Sequence, residues 1–311
     1  MNSTKKYIKE HRFIFSLKKK IIRQGVPANL TGWSLFRLFK HHVKLFVICI
    51  LHFPVEFFKY RNFLYKTWKL RGSAKKKRAL IIGNGPSQGY LKKIELDKFV
   101  ETGGETYCVN FWNSNKSLSS HIPTWMVFSD EYNLFGKNFK SINLIKYLRS
   151  NPSINIIIPT HHIKLARGLK LPNKIHAIID CELSIWRNIH PLFPRGYLSM
   201  TLYKALAWAV HLGYHSIGLI GMDNTYPRKI YNDKNNRLCA LETHAGNKDW
   251  INNLSPLFSN VSAYIDDLVR LFYHLEYFPQ KNIVNLDPYS LTDRFKKVTK
   301  DSFFRKVSVK K

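Results

Sequence analysis

Acidic residues are scarce in this sequence. Its 20 Asp and Glu face 50 Lys and Arg, which leaves a net charge of +30 and a pI near 10.0. Such an imbalance calls for an anionic partner, phospholipid headgroups or nucleic acid, without choosing between them. Cysteine is scarce too: Cys49, Cys108, Cys181 and Cys239 stand apart, with no CxxC and no Cys/His spacing. That excludes a disulfide framework and a zinc site and points to a reducing compartment. No apolar segment followed by a small-residue cleavage site lies near the start, so the expected address is the cytosol or the cytoplasmic face of the inner (plasma) membrane, as a peripheral protein. RNP motifs and zinc fingers are absent, and nucleic acid is not an expected partner. Neither GxGxxG nor GxxxxGK[ST] occurs, and there is no internal repeat.

What is present begins with the distribution of charge. Residues 1–78 hold 20 Lys and Arg against Glu10 and Glu56, and residues 294–311 hold eight against Asp301. Large apolar groups are interleaved with the first of these basic segments: Phe13, Ile14, Phe15 and Leu17, then Trp33, Leu35, Phe36, Leu38 and Phe39 at helical spacing. The run from Leu45 to Phe58 contains His52, Pro54 and Glu56. It falls short of the ~20 apolar residues that a spanning helix needs. With Lys40, Lys44, Lys59 and Arg61 around it, and Tyr60, Tyr65 and Trp68 after it, the run reads as a helix lying in a membrane interface. A helical cap packed on the core and a nucleic-acid-binding arm are the alternatives.

After Lys75-Lys-Lys-Arg78 the pattern changes. Short apolar strands are expected at Ala79–Ile82, Glu105–Val109, Thr124–Phe128, Ile154–Ile158, Ile175–Ile179, Ser216–Ile220 and Asn282–Leu286, with helices at Ser199–Leu212 and Ala263–Phe278. Alternating elements of this kind predict an α/β, Rossmann-like fold, a mostly parallel sheet with helices on both faces. The expected organisation is a basic aromatic helical arm over 1–78, a nucleotide-sugar-binding catalytic domain over 79–293, and a basic tail over 294–311.

Ligands of open α/β sheets bind outside the carboxyl ends of the strands. Four polar strand ends would converge there: Asn84, Asn110, Asp130 and Asp223. The loop Gly83-Asn84-Gly85-Pro86-Ser87 can turn tightly and come close to a phosphate, and Ser87 can cap the helix that follows or donate to the ligand. A plain strand-to-helix turn is the alternative. Asn110 suits a ribose or base contact and a strand-end role equally. Asp130 suits a sugar hydroxyl or a turn, and Asp223 a ligand or the loop Asn224–Tyr231. His244 lies in a polar loop, and an ordinary pKa near 6.5 suits it to general-base work. The hydroxyls of Tyr226 and Tyr231 could steady a departing phosphate, or the rings could simply pack.

Ile81-Ile-Gly-Asn-Gly-Pro-Ser87, then Val109-Asn110, then Leu198–Leu212 leading into Gly213-Tyr-His-Ser-Ile-Gly-Leu-Ile-Gly-Met-Asp223, then His244, resemble the bacterial lipooligosaccharide sialyltransferases of glycosyltransferase family 42. The same residues resemble the wider MptE-like (hydroxymethylpterin pyrophosphokinase-like) group. The resemblance covers about 79–293 and implies a metal-independent enzyme without a cofactor. It would transfer sialic acid or a related sugar from a CMP-activated donor to a lipid-linked, lipopolysaccharide or capsule glycan. By that likeness Asn84 and Asn110 contact the donor, His244 deprotonates the acceptor, and Tyr226 and Tyr231 steady the leaving phosphate. Three departures bear on the sugar. Asp130 stands where the sialyltransferases carry Asn, Arg195-Gly196 where they carry Ser-Gly, and Ala245-Gly246 where an aromatic pair follows the histidine. Arg195 is expected to offset Asp130 beside a carboxylated sugar. The rival readings are an ATP- and Mg²⁺-dependent pyrophosphokinase and a non-catalytic nucleotide or nucleic-acid binder. A homo-oligomer is compatible with all three.

Overall fold

The computed structural model describes residues 35–115, 117–136, 138–181, 183, 188–195, 200–224, 230–242, 250–254 and 261–305. The chain enters through helices α1 (Leu35–Lys59) and α2 (Arg61–Lys69). It then lays down β1 (Arg78–Ile82), α3 (Lys93–Glu101), β2 (Glu105–Val109), β3 (Trp125–Val127), α4 (Glu131–Phe135), α5 (Phe139–Ser150), β4 (Asn155–Pro159), α6 (Ile163–Gly168) and β5 (Ile175–Ile178). There follow α7 (Thr201–Leu212), β6 (Ser216–Ile220), β7 (Ile230–Asn232), β8 (Leu238–Glu242), β9 (Trp250–Asn253), α8 (Val261–Leu275), β10 (Ile283–Asn285), β11 (Lys296–Lys297) and α9 (Lys300–Arg305).

Eight strands form one sheet in the order β11-β10-β6-β1-β2-β3-β4-β5, and every neighbouring pair is parallel. β1 is buried along its whole length because alternate side chains serve opposite faces. Leu80 and Ile82 pack with Leu96 and Phe99 of α3 and with Leu144 and Leu148 of α5. Ala79 and Ile81 pack with α7, whose Leu202, Leu206 and Trp208 are almost wholly buried, and with Leu275 of α8. Helices thus cover both faces, and the fold is Rossmann-like.

Three features differ from the sequence expectations. First, β7, β8 and β9 make a small antiparallel sheet that no strand signal had indicated. Second, the basic tail begins inside the domain. Phe295 and Phe303 are buried, β11 joins the sheet, and the Arg78 guanidinium lies beside both the Phe99 and the Phe303 ring while donating to the Phe303 carbonyl at 2.6 Å. Gly218 of β6 is part of the same packing, since a Cβ there would come within 2.8 Å of the Phe303 ring. Third, the helical arm is joined to the core: Cys49, Tyr60 and Leu64 belong to the same cluster as Leu80 and Ile82. The Thr67 hydroxyl donates to the Ala177 carbonyl of β5. The packed cap and the exposed amphipathic helix turn out to be two sides of one element, because other side chains of α1 remain in solvent.

Candidate active site at the strand crossover

After β1 the chain builds β2 to β5 on one side, then returns past β1 to place β6 on the other. The loops leaving β1 and β6 meet at this crossover, the position where α/β sheets bind ligands. The two loops here are Gly83–Ser87 and Gly221–Asn224.

These loops are laced together. The Gly83 N–H donates to the Ile220 carbonyl at 2.8 Å and the Gly85 N–H to the Gly221 carbonyl at 2.9 Å. The Gly221 N–H donates to Ser87 Oγ at 2.8 Å, and the Ser87 N–H to Asp223 Oδ1 at 3.1 Å. Side chains are excluded by this contact. A Cβ on Gly83 would lie 2.3 Å from the Gly221 carbonyl oxygen, and one on Gly85 only 1.7 Å from Asp223 Oδ2. Gly221 has φ +74°, and its Cβ would meet the Gly83 carbonyl at 2.3 Å. The expectation that this turn offers a row of free amides to a phosphate therefore needs correction. Gly83, Gly85 and Ser87 spend theirs on the neighbouring loop, and Pro86 has none. Among the described residues nothing accepts from the Asn84 N–H, and Asn84 and Gly85 are half-buried at the carboxyl end of β1. Behind the turn, Gln88 accepts from the Asn115 amide at 2.6 Å, which ties it to the loop after β2.

Asp223 is 8% exposed and Asp287, after β10, is 1% exposed. Among the described residues neither Oδ2 has a donor. An ionised carboxylate only accepts, so a buried carboxyl oxygen with no donor favours the protonated form. Burial first, and Asp287 second, push the Asp223 carboxyl up to about 7. Neighbouring residues brace the pair: Ser290 Oγ donates to the Met222 carbonyl at 2.8 Å, and Asn224 Nδ2 to Thr292 Oγ1 at 3.0 Å.

Along the same edge, Asn110 ends β2 in a left-handed conformation, φ +54°, which Asn tolerates better than most residues. Its Oδ1 is buried and has no partner among the described residues, and the same holds for Asn113 Oδ1 and Ser129 Oγ after β2 and β3. Asp130 is exposed, and its carboxylate makes one long contact, 3.5 Å from Asn133 Nδ2. Arg195, 2% exposed, does not meet Asp130 as expected. Its Nη2 donates to Asp180 Oδ1 at 3.1 Å, while Lys204 in the first turn of α7 donates to Asp180 Oδ2 at 3.0 Å. Burial lowers the Arg195 pKa, and Asp180 opposes that shift. Tyr231 lies on β7 with its ring exposed. His244, Tyr226 and Gly196 lie outside the described residues.

Two residues the sequence reading passed over, Asp287 and Asp180, follow strands it had located, so the strand-end rule that found Asp223 would have found them too. Among the described residues no three His, Cys, Asp or Glu side chains gather to hold a metal. A cavity of about 280 Å³ opens between Glu105, Trp125 and His176, but at the amino-terminal end of the sheet, away from the crossover loops.

No family model matches the sequence, and no curated protein matches it. Among solved structures the chain is similar to one described as the MAf glycosyltransferase from Magnetospirillum magneticum AMB-1. The identity is 12% and the TM-score 0.48, and the match covers 76% of this chain. The chain spans 37% of that protein's length.

Proposed function

We propose that the protein is a glycosyltransferase that takes a sugar, sialic acid or a related acid, from a CMP-activated donor. The observation carrying this reading is the crossover of β1 and β6. There Asn84, whose N–H has no acceptor among the described residues, and the left-handed Asn110 both follow the carboxyl ends of neighbouring strands. Asn84 would meet the phosphate and Asn110 the nucleoside. The raised pKa of the Asp223 carboxyl beside the turn would lessen its repulsion of the phosphate. In the reaction an acceptor hydroxyl oxygen bonds to the anomeric carbon as the bond from that carbon to the CMP phosphate oxygen breaks. His244 takes the hydroxyl proton, and CMP leaves with the electron pair. Tyr226 and Tyr231 would donate to the departing phosphate in place of a metal. The acceptor is a lipid-linked or lipopolysaccharide-type glycan.

A general base contributes roughly 10²–10⁴-fold to rate. His244→Ala is expected to lower transfer by about that factor and to leave CMP affinity unchanged, measured by turnover and by calorimetric titration in parallel. Loss of affinity along with rate would assign His244 to binding or folding. The Mg²⁺-ATP pyrophosphokinase reading has one point in its favour, the Asp223–Asp287 pair, which could hold a cation instead of a proton. It requires ATP binding that EDTA abolishes.

A further inference from the structure

Helix α1 carries two apolar stripes, and only one is used. The inward stripe includes Leu45 and Cys49, buried, and Phe53 and Phe57, half-buried. The outward stripe is Phe46, Val47, Ile50, Leu51, Val55 and Phe58, each between 47% and 69% exposed. Their spacing follows the helical period, so they form one continuous ridge. Monomeric proteins seldom leave so large a contiguous apolar surface in water without a use for it. Among the described residues no helix is long and apolar enough to cross a membrane.

The charge around the ridge is of one sign. Residues 35–78 contain 12 Lys and Arg and a single acid, Glu56. Glu56 is half-buried and is engaged by the Thr160 hydroxyl. Lys44, Lys59, Arg61, Lys66 and Lys69 are exposed. On α2 the half-exposed rings of Tyr65 and Trp68 lie beside Lys69 and Arg71, at 4.6 and 5.6 Å. An apolar ridge bordered by cations and amphipathic aromatics matches the boundary between acyl chains and anionic headgroups. A second copy of the chain is a poorer match, because a two-fold contact would set the same basic surfaces against each other.

The inward attachments decide what docking would accomplish. Thr160, the partner of Glu56, directly follows β4, and Cys181, in the same buried cluster as Cys49, follows β5. Phe53 packs against Phe193 with ring centroids 6.4 Å apart. All three anchors lie at the carboxyl-terminal edge of the sheet, the edge that carries the loops after β1 and β6.

We propose that the outward ridge of α1 docks the protein on a bilayer with anionic headgroups, and that this holds the carboxyl-terminal edge of the sheet at the membrane surface. The link to a lipid-linked acceptor rests on the glycosyltransferase reading; the docking itself does not.

The test is flotation of the full chain with vesicles of phosphatidylcholine alone or of equal parts phosphatidylcholine and phosphatidylglycerol, with no donor or acceptor present. The full chain should float with the mixed vesicles and much less with the neutral ones. The triple substitution Leu51→Asp, Val55→Asp and Phe58→Asp should lower the bound fraction by about tenfold or more, with an unchanged melting temperature. Should that variant melt early, the exposed set Lys44→Glu, Lys59→Glu and Arg61→Glu decides, and it too should abolish flotation with the mixed vesicles. Three results would overturn the proposal: a wild-type chain that stays with the soluble fraction, folded variants that float as well as wild type, or a wild-type dimer that the triple substitution makes monomeric. Because flotation needs no turnover, failure of docking and failure of the proposed reaction are read separately.

Discussion

Asp223→Asn is expected to raise the melting temperature at pH 8 and to leave it nearly unchanged at pH 4. In the folded protein burial and Asp287 raise the Asp223 carboxyl from its ordinary 3.8 to about 7. Between those values the native state keeps a proton that the unfolded chain has released. Stability supplied by the wild-type carboxyl is therefore complete below pH 3.8, falls as the pH climbs, and is gone above about 7. The free energy at stake is on the order of 4 kcal/mol, at about 1.4 kcal/mol for each tenfold change in proton affinity. Asn cannot ionise. Its carbonyl can keep the Ser87 N–H. Melting curves from pH 4 to 9 should show wild type declining toward neutrality and the variant flat. A variant less stable than wild type at pH 8 would mean that the ionised carboxylate is held by something favourable, and a cation at the pair would become the better explanation.

Gly83→Ala and Gly221→Ala are each expected to cost about 3 kcal/mol or more, because small-to-large changes in tightly packed sites cost ~1–3 kcal/mol even where neighbours can yield. The obstacles here are backbone oxygens at 2.3 Å from each new Cβ, and Gly221 also carries φ +74°. Gly85→Ala should behave similarly, with the Asp223 carboxylate as the obstacle at 1.7 Å. Gly89→Ala is the control. A Cβ there meets nothing within 4 Å, and its effect should lie within ~0.5 kcal/mol. Urea titration of the four variants separates two uses of glycine. If Gly83→Ala keeps its stability and loses only nucleotide affinity, the glycine serves close approach of a ligand and the loop-to-loop contact is incidental.

The glycine turn shows how far the residues alone could carry the reading. Two glycines, Gly83 and Gly85, after an apolar strand announce a turn that needs room, and the turn is there. That the room is taken by Gly221 and Asp223 depends on β6 returning to lie beside β1, a long-range pairing with no local mark in the chain. Asp223 was legible as a strand end, but Asp287, which helps raise its pKa, lies 64 residues on and has no local mark near it. The C-terminal segment misled for a different reason. Its Lys and Arg dominate the composition, while two buried aromatics, Phe295 and Phe303, decide where it sits. In α1 the apolar run was plain, but which of its two stripes faces the core depends on the loops after β4 and β5. His244 and Tyr226 rest on the family resemblance, since they lie outside the described residues.

The most direct measurement is the melting temperature with and without CMP in the presence of EDTA. A ligand at 100 times its dissociation constant stabilises by ~2.7 kcal/mol, which for a domain of this size is about 5 °C. That shift is expected for wild type with CMP, and it should shrink in an Asn110→Ala variant. No shift with CMP, together with one from ATP that depends on Mg²⁺, would contradict a CMP-sugar site at the crossover of β1 and β6.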